Sequence, residues 1–382
     1  MTDSLLLALG SIAMGDNKDG VSYYHIDMGP DHPSNGGLVW LTAQVDGEKI
    51  QALDVLPGAL HRGAEMLFEV RDYRQILSLA NRHDWQAPVF GELLVASVVE
   101  RELGIEIPPR AAWLRTFLAE HQRVQSHLAQ LSFVSHRLGR DDLATGVVRE
   151  ELRRRTLDLT GNRLHPMATR LGGVAVDPDA GWLDATVATH REAASLAGRI
   201  AEALDASGLG RDIAVLNAED AAGCGLSGVV ARASGLDEDL RRDAGGGVPG
   251  LAYAELGDAL APPTTPTTGD AHARLCWLAA EVGQSADVVA RCASAMPSGE
   301  LAVRLPKVVK LPEGDSYAEI EAPLGRAGVF VVSRADKTPW RMRLRTPSLA
   351  NVSAWATAGI GAIEDLPVMI ASLGYVTGDL DK

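Results

Sequence analysis

The chain has 382 residues and carries 50 acidic against 36 basic side chains, which leaves a formal net charge of −14. This acidic balance argues against a nucleic-acid partner, because proteins that bind phosphate backbones present basic patches. The length suggests either two domains or one large domain. The apolar stretches fall well short of the roughly 18 residues that span a bilayer, so we expect no membrane-spanning helix.

The first quarter of the chain is predicted to hold a tail and a β region. The apolar stretch Ser4–Ile12 lacks the basic residues that precede a signal peptide, so we expect residues 1–22 to form a cytoplasmic N-terminal tail. Residues 23–58 are predicted to form the N-terminal β region. Apolar side chains alternate from Val39 to Val45, and Asp46-Gly47 is typical of a hairpin turn.

The rest of the chain is predicted to be mostly helical, with strands again near its end. In residues 59–316, apolar positions recur every three or four residues, which indicates a helical core. Pro88 and Pro108-Pro109 are typical of helix starts, whereas residues 218–266 form an irregular Gly/Pro-rich insertion. Residues 317–382 read as a C-terminal β region and tail. We therefore predict an α+β fold, with a central helical bundle flanked by small N-terminal and C-terminal β-sheets in one compact unit.

The cysteines exclude several kinds of metal centre. There are three, Cys224, Cys276 and Cys292, and no Cys-x-x-Cys pair. The chain therefore cannot supply a four-thiolate iron–sulfur cluster or a four-cysteine zinc site by itself. It also lacks a P-loop, a dinucleotide-binding glycine motif and a nucleophile elbow in a credible context. We predict no metal site and no cofactor bound by this chain alone.

Two short polar runs stand within stretches punctuated by glycine and proline. Met28–Ser34 reads Met-Gly-Pro-Asp-His-Pro-Ser, and His61–Glu65 reads His-Arg-Gly-Ala-Glu. Turn chemistry alone does not require these polar and charged side chains. His32 can donate a proton near neutral pH, although a structural histidine bonded within the turn is an open alternative.

In their order and separation, these runs resemble the large peripheral subunit (the D-type or 49-kDa subunit) of the proton-pumping NADH–quinone oxidoreductase, respiratory complex I. That family is itself related to the large subunit of nickel–iron hydrogenases, so the resemblance implies a hydrogenase-large-subunit-like fold. It extends from about Tyr24 to Lys382. Further matching segments occur in family order: Glu100–Arg110, Glu120–His127, Thr160–Val174, Gly225–Asp243, Glu321–Gly325 and Arg341–Pro347.

The chain departs from this family at the residues expected to touch quinone. In the family, a histidine and a tyrosine donate to the quinone carbonyls, and the matching positions here are Gly36 and Trp85. Glycine cannot deliver an imidazole proton, and indole has a ring N–H but no phenol. Trp85 can still stack on a quinone ring, or be a plain core aromatic. The acid that bonds the family's histidine falls at Arg137, and the nearest acids are Asp141 and Asp142.

The resemblance implies a quinone cavity, although it leaves the catalytic residues of this chain unassigned. The candidates lie in the two polar runs and in the segment Asn81–Trp85: His32, Ser34, Gly36, Arg62, Arg82, His83, Asp84 and Trp85. Arg82 and Asp84 match the family pattern Asp-Arg-x-Asp-Tyr, where a structural ion pair is the alternative. His83 sits at a position that the family leaves variable. It either substitutes for a lost donor or is an exposed histidine.

The resemblance also implies partners. Quinone would bind at a subunit interface, and the iron–sulfur cluster would belong to a small partner subunit. A C-type peripheral subunit and a quinone-channel membrane subunit would hold the chain at the cytoplasmic face of the cell membrane, and NADH would bind another subunit. The four nickel-binding cysteines of hydrogenases are absent near His61–Glu65 and Gly378–Asp381. Two functions remain open: an electron-transfer subunit that is coupled to the membrane arm, and a paralogous scaffold that has lost quinone chemistry.

Overall fold

The computed structural model of the protein describes residues 3–9, 23–29, 32–33, 39–243 and 247–382. Long helices form the centre of the molecule, and small sheets from the two ends of the chain pack around them. The predicted α+β class is therefore confirmed. Among the described residues, every helix is too short or too polar to cross a membrane.

The N-terminal sheet has five strands: β1 (Asp3–Leu9), β2 (Tyr23–Ile26), β3 (Val39–Asp46), β4 (Lys49–Leu56) and, from the far end of the chain, β10 (Gly361–Ala362). Their order across the sheet is β10-β4-β3-β1-β2. The predicted hairpin is present, since β3 and β4 pair antiparallel up to Asp46 and Lys49, and Gly47 takes a positive φ of 63°. That conformation favours glycine.

The start of the chain differs from the tail that the sequence predicted. Residues Asp3–Leu9 form a strand that pairs antiparallel with β3 and parallel with β2. Leu7 and Leu9 are buried in the core beneath the sheet. Without β1, the edge of β3 would leave its backbone groups unpaired, and this long-range pairing has no local signature in the sequence.

The rest of the chain forms helices and further strands. The helices are α1 (Ala64–Glu69), α2 (Tyr73–His83), α3 (Pro88–Glu102), α4 (Pro109–Leu138), α5 (Gly146–Thr160), α6 (Ala180–Ser207), α7 (Ala218–Gly223), α8 (Gly228–Ala233), α9 (Leu240–Asp243), α10 (Ala271–Ala295), α11 (Pro347–Ser353), α12 (Trp355–Ala358), α13 (Leu366–Leu373) and α14 (Thr377–Leu380). The other strands are β5 (Thr169–Arg170), β6 (Gly173–Val174), β7 (Gly314–Ala322), β8 (Gly325–Ser333) and β9 (Arg341–Arg345). Three of the short helices, α7 to α9, lie within residues 218–266, which the sequence predicted to be irregular, because side-chain packing stabilises short helices that local sequence does not reveal.

Helices α4, α6 and α10 pack against one another as the central bundle. Pro88 and Pro109 are the first residues of α3 and α4, as their sequence positions predicted. Proline suits a first turn because its missing N–H has no intrahelical partner there. The antiparallel sheet β7-β8-β9 packs mainly against α3, and α1 packs beside β9.

Candidate functional site

The last residues of the chain contact the segment that contains the His61–Glu65 run. The Asp381 carboxylate accepts hydrogen bonds from the backbone N–H groups of Gly58 at 2.7 Å and Leu60 at 2.8 Å. The ammonium group of Lys382 lies 3.5 Å from the Glu65 carboxylate. The same carboxylate accepts from the backbone N–H of Leu344 at 2.9 Å. These contacts join the His61–Glu65 run to the chain end and the C-terminal sheet.

Helix α2 presents the second predicted segment to this region. It begins at Tyr73 and is capped by Asp72, whose side chain accepts from the backbone N–H groups of Arg74 and Gln75 at 3.0 Å each. This capping box fixes the start of the helix, which ends at His83 and is followed by a turn at residues 84–87. There the Asp84 side chain accepts from the backbone N–H groups of two further residues, Gln86 at 2.9 Å and Ala87 at 3.1 Å.

His83, at the end of α2, contacts Asp379 in α14. Nδ1 of His83 lies 2.7 Å from the Ala80 carbonyl oxygen, and Nε2 lies 3.3 Å from Oδ1 of Asp379. A carbonyl can only accept, so Nδ1 carries a proton; a second proton must then lie between Nε2 and the carboxylate. Burial alone lowers the pKa of His83, but the hydrogen bond and charge of Asp379 outweigh it and raise that pKa. The pair therefore holds an extra proton inside the protein.

Asp84 adds a second titrating group beside this pair. Its side chain is buried. Burial, together with the negative charge of Asp379, raises the pKa of Asp84 to about 7. A carboxyl group with that pKa gains and loses a proton near neutral pH. We refer to His83, Asp84 and Asp379 as the proton cluster.

Trp85 lies next to the proton cluster and is half-buried. The Arg62 guanidinium carbon is 5.9 Å from the centroid of the indole, and Arg62 also donates to the Arg82 carbonyl oxygen at 3.2 Å. On another side, Gly378 packs so tightly that a Cβ there would collide with the indole ring and with the His83 carbonyl. The exposed Arg82 side chain donates to the Ser78 carbonyl at 2.6 Å, so it forms no ion pair with Asp84 here.

The structure therefore brings five of the predicted residues together and holds one apart. Arg62 and the run from Arg82 to Trp85 are neighbours. His32 instead packs its ring edge-on against Phe133 of α4, at a centroid distance of 6.4 Å. Burial and the charge of Arg149 lower the pKa of His32 to about 3, so its imidazole is neutral at neutral pH. The other two candidates, Ser34 and Gly36, lie outside the described residues.

Sequence reasoning missed two acids near this region. For Asp379, the available signal was the pair of acids at the chain end, Asp379 and Asp381. Glu92 had none. It accepts hydrogen bonds from the Asn81 amide and, at 2.8 Å, from the Thr169 backbone N–H. Burial raises the pKa of Glu92 to about 7.

Behind the site, a buried ion network crosses the bundle. Arg232 contacts Glu281 and, at 2.9 Å, Glu321. Arg241 lies 2.7 Å from an Asp239 oxygen and 3.4 Å from a Glu120 oxygen. These six side chains and Arg123, which lies 3.1 Å from Glu120, make up what we refer to as the Arg232 network. Although burial opposes ionisation, the guanidinium groups lower the pKa of Glu120 and of Glu281.

Comparison with known proteins identifies the family. The sequence model described as "Respiratory-chain NADH dehydrogenase, 49 Kd subunit" matches residues 143–310 and 305–382. The D 2 subunit of the NADH-quinone oxidoreductase of Salinispora tropica is 43% identical over 380 residues, covering 94% of this chain and 92% of that protein. The protein of the same name from Streptomyces griseus is 41% identical over 373 residues, covering 94% and 92%.

A solved structure agrees with the sequence relatives. It is titled "Structure of the membrane-bound sulfane sulfur reductase (MBS), an archaeal respiratory membrane complex". One of its chains superposes with a TM-score of 0.83 at 28% identity, over 90% of this chain and 94% of that one. The resemblance inferred from the sequence is thus confirmed, and the chain belongs to the family of the 49-kDa subunit of the respiratory-chain NADH dehydrogenase.

Proposed function

We propose that this chain is the peripheral-arm subunit that forms a quinone-reduction cavity together with an iron–sulfur small subunit. Electrons would arrive from the partner's cluster, and the reaction would be coupled to the membrane arm. A C-type peripheral subunit and a quinone-channel membrane subunit complete the proposed surroundings, at the cytoplasmic face of the cell membrane. Support comes from the relatives, which are named as subunits of NADH-quinone oxidoreductases, and from the similar chain of a respiratory membrane complex.

The observation that carries this proposal is the proton cluster next to Trp85. Reduction of a quinone to a quinol takes two electrons and two protons. The family's two donor positions are Gly36 and Trp85 in this chain, and neither side chain can supply those protons. His83 and Asp379 share an extra proton, and the Asp84 carboxyl titrates near pH 7. In the proposal these groups deliver the two protons and are refilled from solvent, while Trp85 stacks on the quinone ring.

A scaffold without quinone chemistry is the second candidate, and one observation favours it. The indole of Trp85 is already covered in part by Arg62 and Gly378 of the same chain. In a paralogue that keeps its partner surfaces but has a closed cavity, residues of the same chain would cover Trp85 in this way. It would assemble with the same subunits and would not reduce quinone.

Purification from the native host separates the two functions. We would tag the chain, isolate the complex gently from membranes, identify the co-purified subunits and measure inhibitor-sensitive quinone reduction. An iron–sulfur subunit and membrane subunits accompanied by turnover are expected. The same partners without turnover would establish the scaffold, and a chain that purifies alone would overturn both.

Variants of the proton cluster test how the protons are supplied. His83→Gln and Asp379→Asn should lower the quinone-reduction rate by roughly 100-fold, the usual contribution of a positioned acid. The wild-type rate should fall as pH rises through the raised pKa of His83, and His83→Gln should lose that step while keeping the step that Asp84 contributes near pH 7. His136→Gln is the matched control, since that ring is partly exposed and lies 3.6 Å from exposed Asp27. Equal rates in all variants would contradict the assignment.

A further inference from the structure

At the solvent edge of the α6–α10 helix pair, three side chains of metal-ligating types converge. Asp205 lies in the last turn of α6, and His272 and Cys276 lie in the first two turns of α10. Nε2 of His272 is 3.6 Å from Sγ of Cys276 and 3.3 Å from Oδ1 of Asp205. The three ligand atoms all lie within 4.8 Å of one another. This group is separate from the proton cluster and does not depend on the proposed redox function.

Two of these separations are close to those of ligands around a tetrahedral zinc ion. Bond lengths of about 2.3 Å to sulfur and about 2.0–2.2 Å to nitrogen and oxygen put neighbouring ligand atoms about 3.4–3.6 Å apart. The two distances measured from His272 match this spacing. We propose that Asp205, His272 and Cys276 bind one divalent transition-metal ion of the Zn²⁺ type. The side chain of Asp205 is 69% exposed, so solvent can supply the fourth ligand.

The imidazole of His272 is oriented as a metal ligand requires. Its Nδ1 lies 3.1 Å from the Leu209 carbonyl oxygen, so Nδ1 carries a proton and Nε2 is the nitrogen left for a metal ion or a second proton. Nε2 faces the Asp205 carboxylate and the Cys276 sulfur. Two electron-rich atoms at 3.3 Å repel each other unless a cation or a proton lies between them. An N–H donated to a backbone carbonyl is also how proteins commonly fix metal-binding histidines.

Backbone contacts bring the three ligands together before any ion binds. The turn after α6 approaches α10 so closely that a Cβ on Gly210 would lie 2.7 Å from the His272 backbone nitrogen. Gly210 has a φ of 84° and accepts from that N–H at 3.0 Å. Asp270 caps the start of α10 through the Ala273 N–H at 2.8 Å. A rigid ligand frame of this kind lowers the entropic cost of binding an ion.

The sequence predicted no metal site because it has no closely spaced cysteine pair. His272 and Cys276 are four positions apart, which puts them on one face of a helix, but two residues do not define a site. The third ligand comes from a different helix, and only the packing of α6 against α10 supplies it. The mixture of nitrogen, sulfur and oxygen ligands suits zinc better than magnesium or calcium, which prefer oxygen alone.

The test uses the full chain, stripped with a chelator and then dialysed against Zn²⁺ alone. Metal analysis should find one ion per chain in the wild type. His272→Ala and Cys276→Ser should weaken binding by more than the roughly 10- to 100-fold that loss of a supporting contact costs. Cys292→Ser is the matched control, because that thiol is buried elsewhere in α10. Bound Co²⁺ should show a thiolate-to-metal absorption band that disappears in Cys276→Ser and remains in Cys292→Ser.

Asp205→Asn keeps the test decisive if a buried variant fails to fold. Its side chain is exposed, so the change leaves the packing intact while removing one charged ligand. Zn²⁺ should raise the unfolding temperature of the wild type and raise that of Asp205→Asn distinctly less. Equal stoichiometry and affinity in wild type, Asp205→Asn and Cys276→Ser would overturn the site and leave a simple His–Asp ion pair.

Discussion

The Arg232 network and the proton cluster are both buried and both rich in acids, yet they hold their charges differently. In the network, Glu281 and Glu321 contact the Arg232 guanidinium, and the pKa of Glu281 is lowered. In the proton cluster, the Asp379 carboxylate contacts an imidazole, and the pKa of neighbouring Asp84 is raised to about 7. Guanidinium groups outweigh burial at the network acids, whereas burial and the negative charge of Asp379 prevail at Asp84 even though His83 opposes them.

This contrast separates structure from proton chemistry. A guanidinium does not lose its proton in proteins, so acids beside it remain charged at every physiological pH. An imidazole changes charge near neutral pH, so acids that share it exchange protons with it. We therefore expect the network to respond to mutation as a structural element and the proton cluster to respond to pH.

Breaking the network should have the largest effect. Arg232→Met removes the cation from Glu281 and Glu321 and leaves buried, unpaired carboxylates. The free energy of unfolding should fall by about 3–5 kcal/mol, which urea unfolding followed by circular dichroism would measure. The matched control is Arg154→Met on the exposed face of α5, where Arg154 lies 3.0 Å from Glu151. It should cost only about 0.3–0.5 kcal/mol, and similar losses in the two variants would refute the contrast.

The proton cluster should make the free energy of unfolding depend on pH. Because the pKa of Asp84 is raised to about 7, the folded chain binds a proton that the unfolded chain releases between about pH 4 and pH 7. Stability should therefore fall as pH rises through this window, by about 1.4 kcal/mol per pH unit at most from this group. Asp84→Asn should remove that part of the slope. The raised pKa of His83 acts in the same direction, and its contribution is lost as pH rises through that pKa.

Urea unfolding of wild type and Asp84→Asn from about pH 4 to about pH 8 would check this expectation. Asp142→Asn serves as the control. That acid is exposed, and its bond to Arg140 lowers its pKa, so it titrates below the window. Parallel curves for wild type and Asp84→Asn would mean that Asp84 does not gain a proton on folding.

Adding a methyl group at the chain end should loosen the proton cluster without changing any charge. A Cβ at Gly378 would overlap Trp85 and the His83 carbonyl, so Gly378→Ala should lower the free energy of unfolding by about 1–3 kcal/mol. Gly198→Ala on α6 is a control with the opposite expected sign. Nothing lies within 4 Å of a Cβ there, and alanine should stabilise the helix by about 0.5–1 kcal/mol. Differential scanning calorimetry would compare them, and a stabilised Gly378→Ala would argue against this close packing.

Removing the cation beside Trp85 should have the smallest effect. Arg62→Met removes the cation over Trp85 and should cost about 0.5–1 kcal/mol, the usual size of an exposed cation–π contact. Arg62→Lys keeps a cation and should cost less. If Arg62→Lys lowers the unfolding midpoint more than Arg62→Met does, hydrogen bonding to the Arg82 carbonyl matters more than the contact with the ring.

Much of the framework could be predicted because its causes are local. Pro88 and Pro109 mark helix starts, and Asp46-Gly47 marks a hairpin, since each residue restricts or frees its own backbone. Family membership was also readable directly from the residues. The strand Asp3–Leu9 was not predicted, because its pairing partners lie on other strands.

The site depends on contacts between parts of the chain that are far apart in sequence. Leu60 and Asp381 are 321 positions apart, yet one hydrogen bond joins them. The proton cluster exists only because α14 returns Asp379 to His83, and the candidate metal ligands meet only because α6 packs on α10. The sequence alone determined which chemical groups are available and to which family the chain belongs. Tertiary structure decided which groups are buried together, because desolvation and charge pairing arise only when distant segments come into contact.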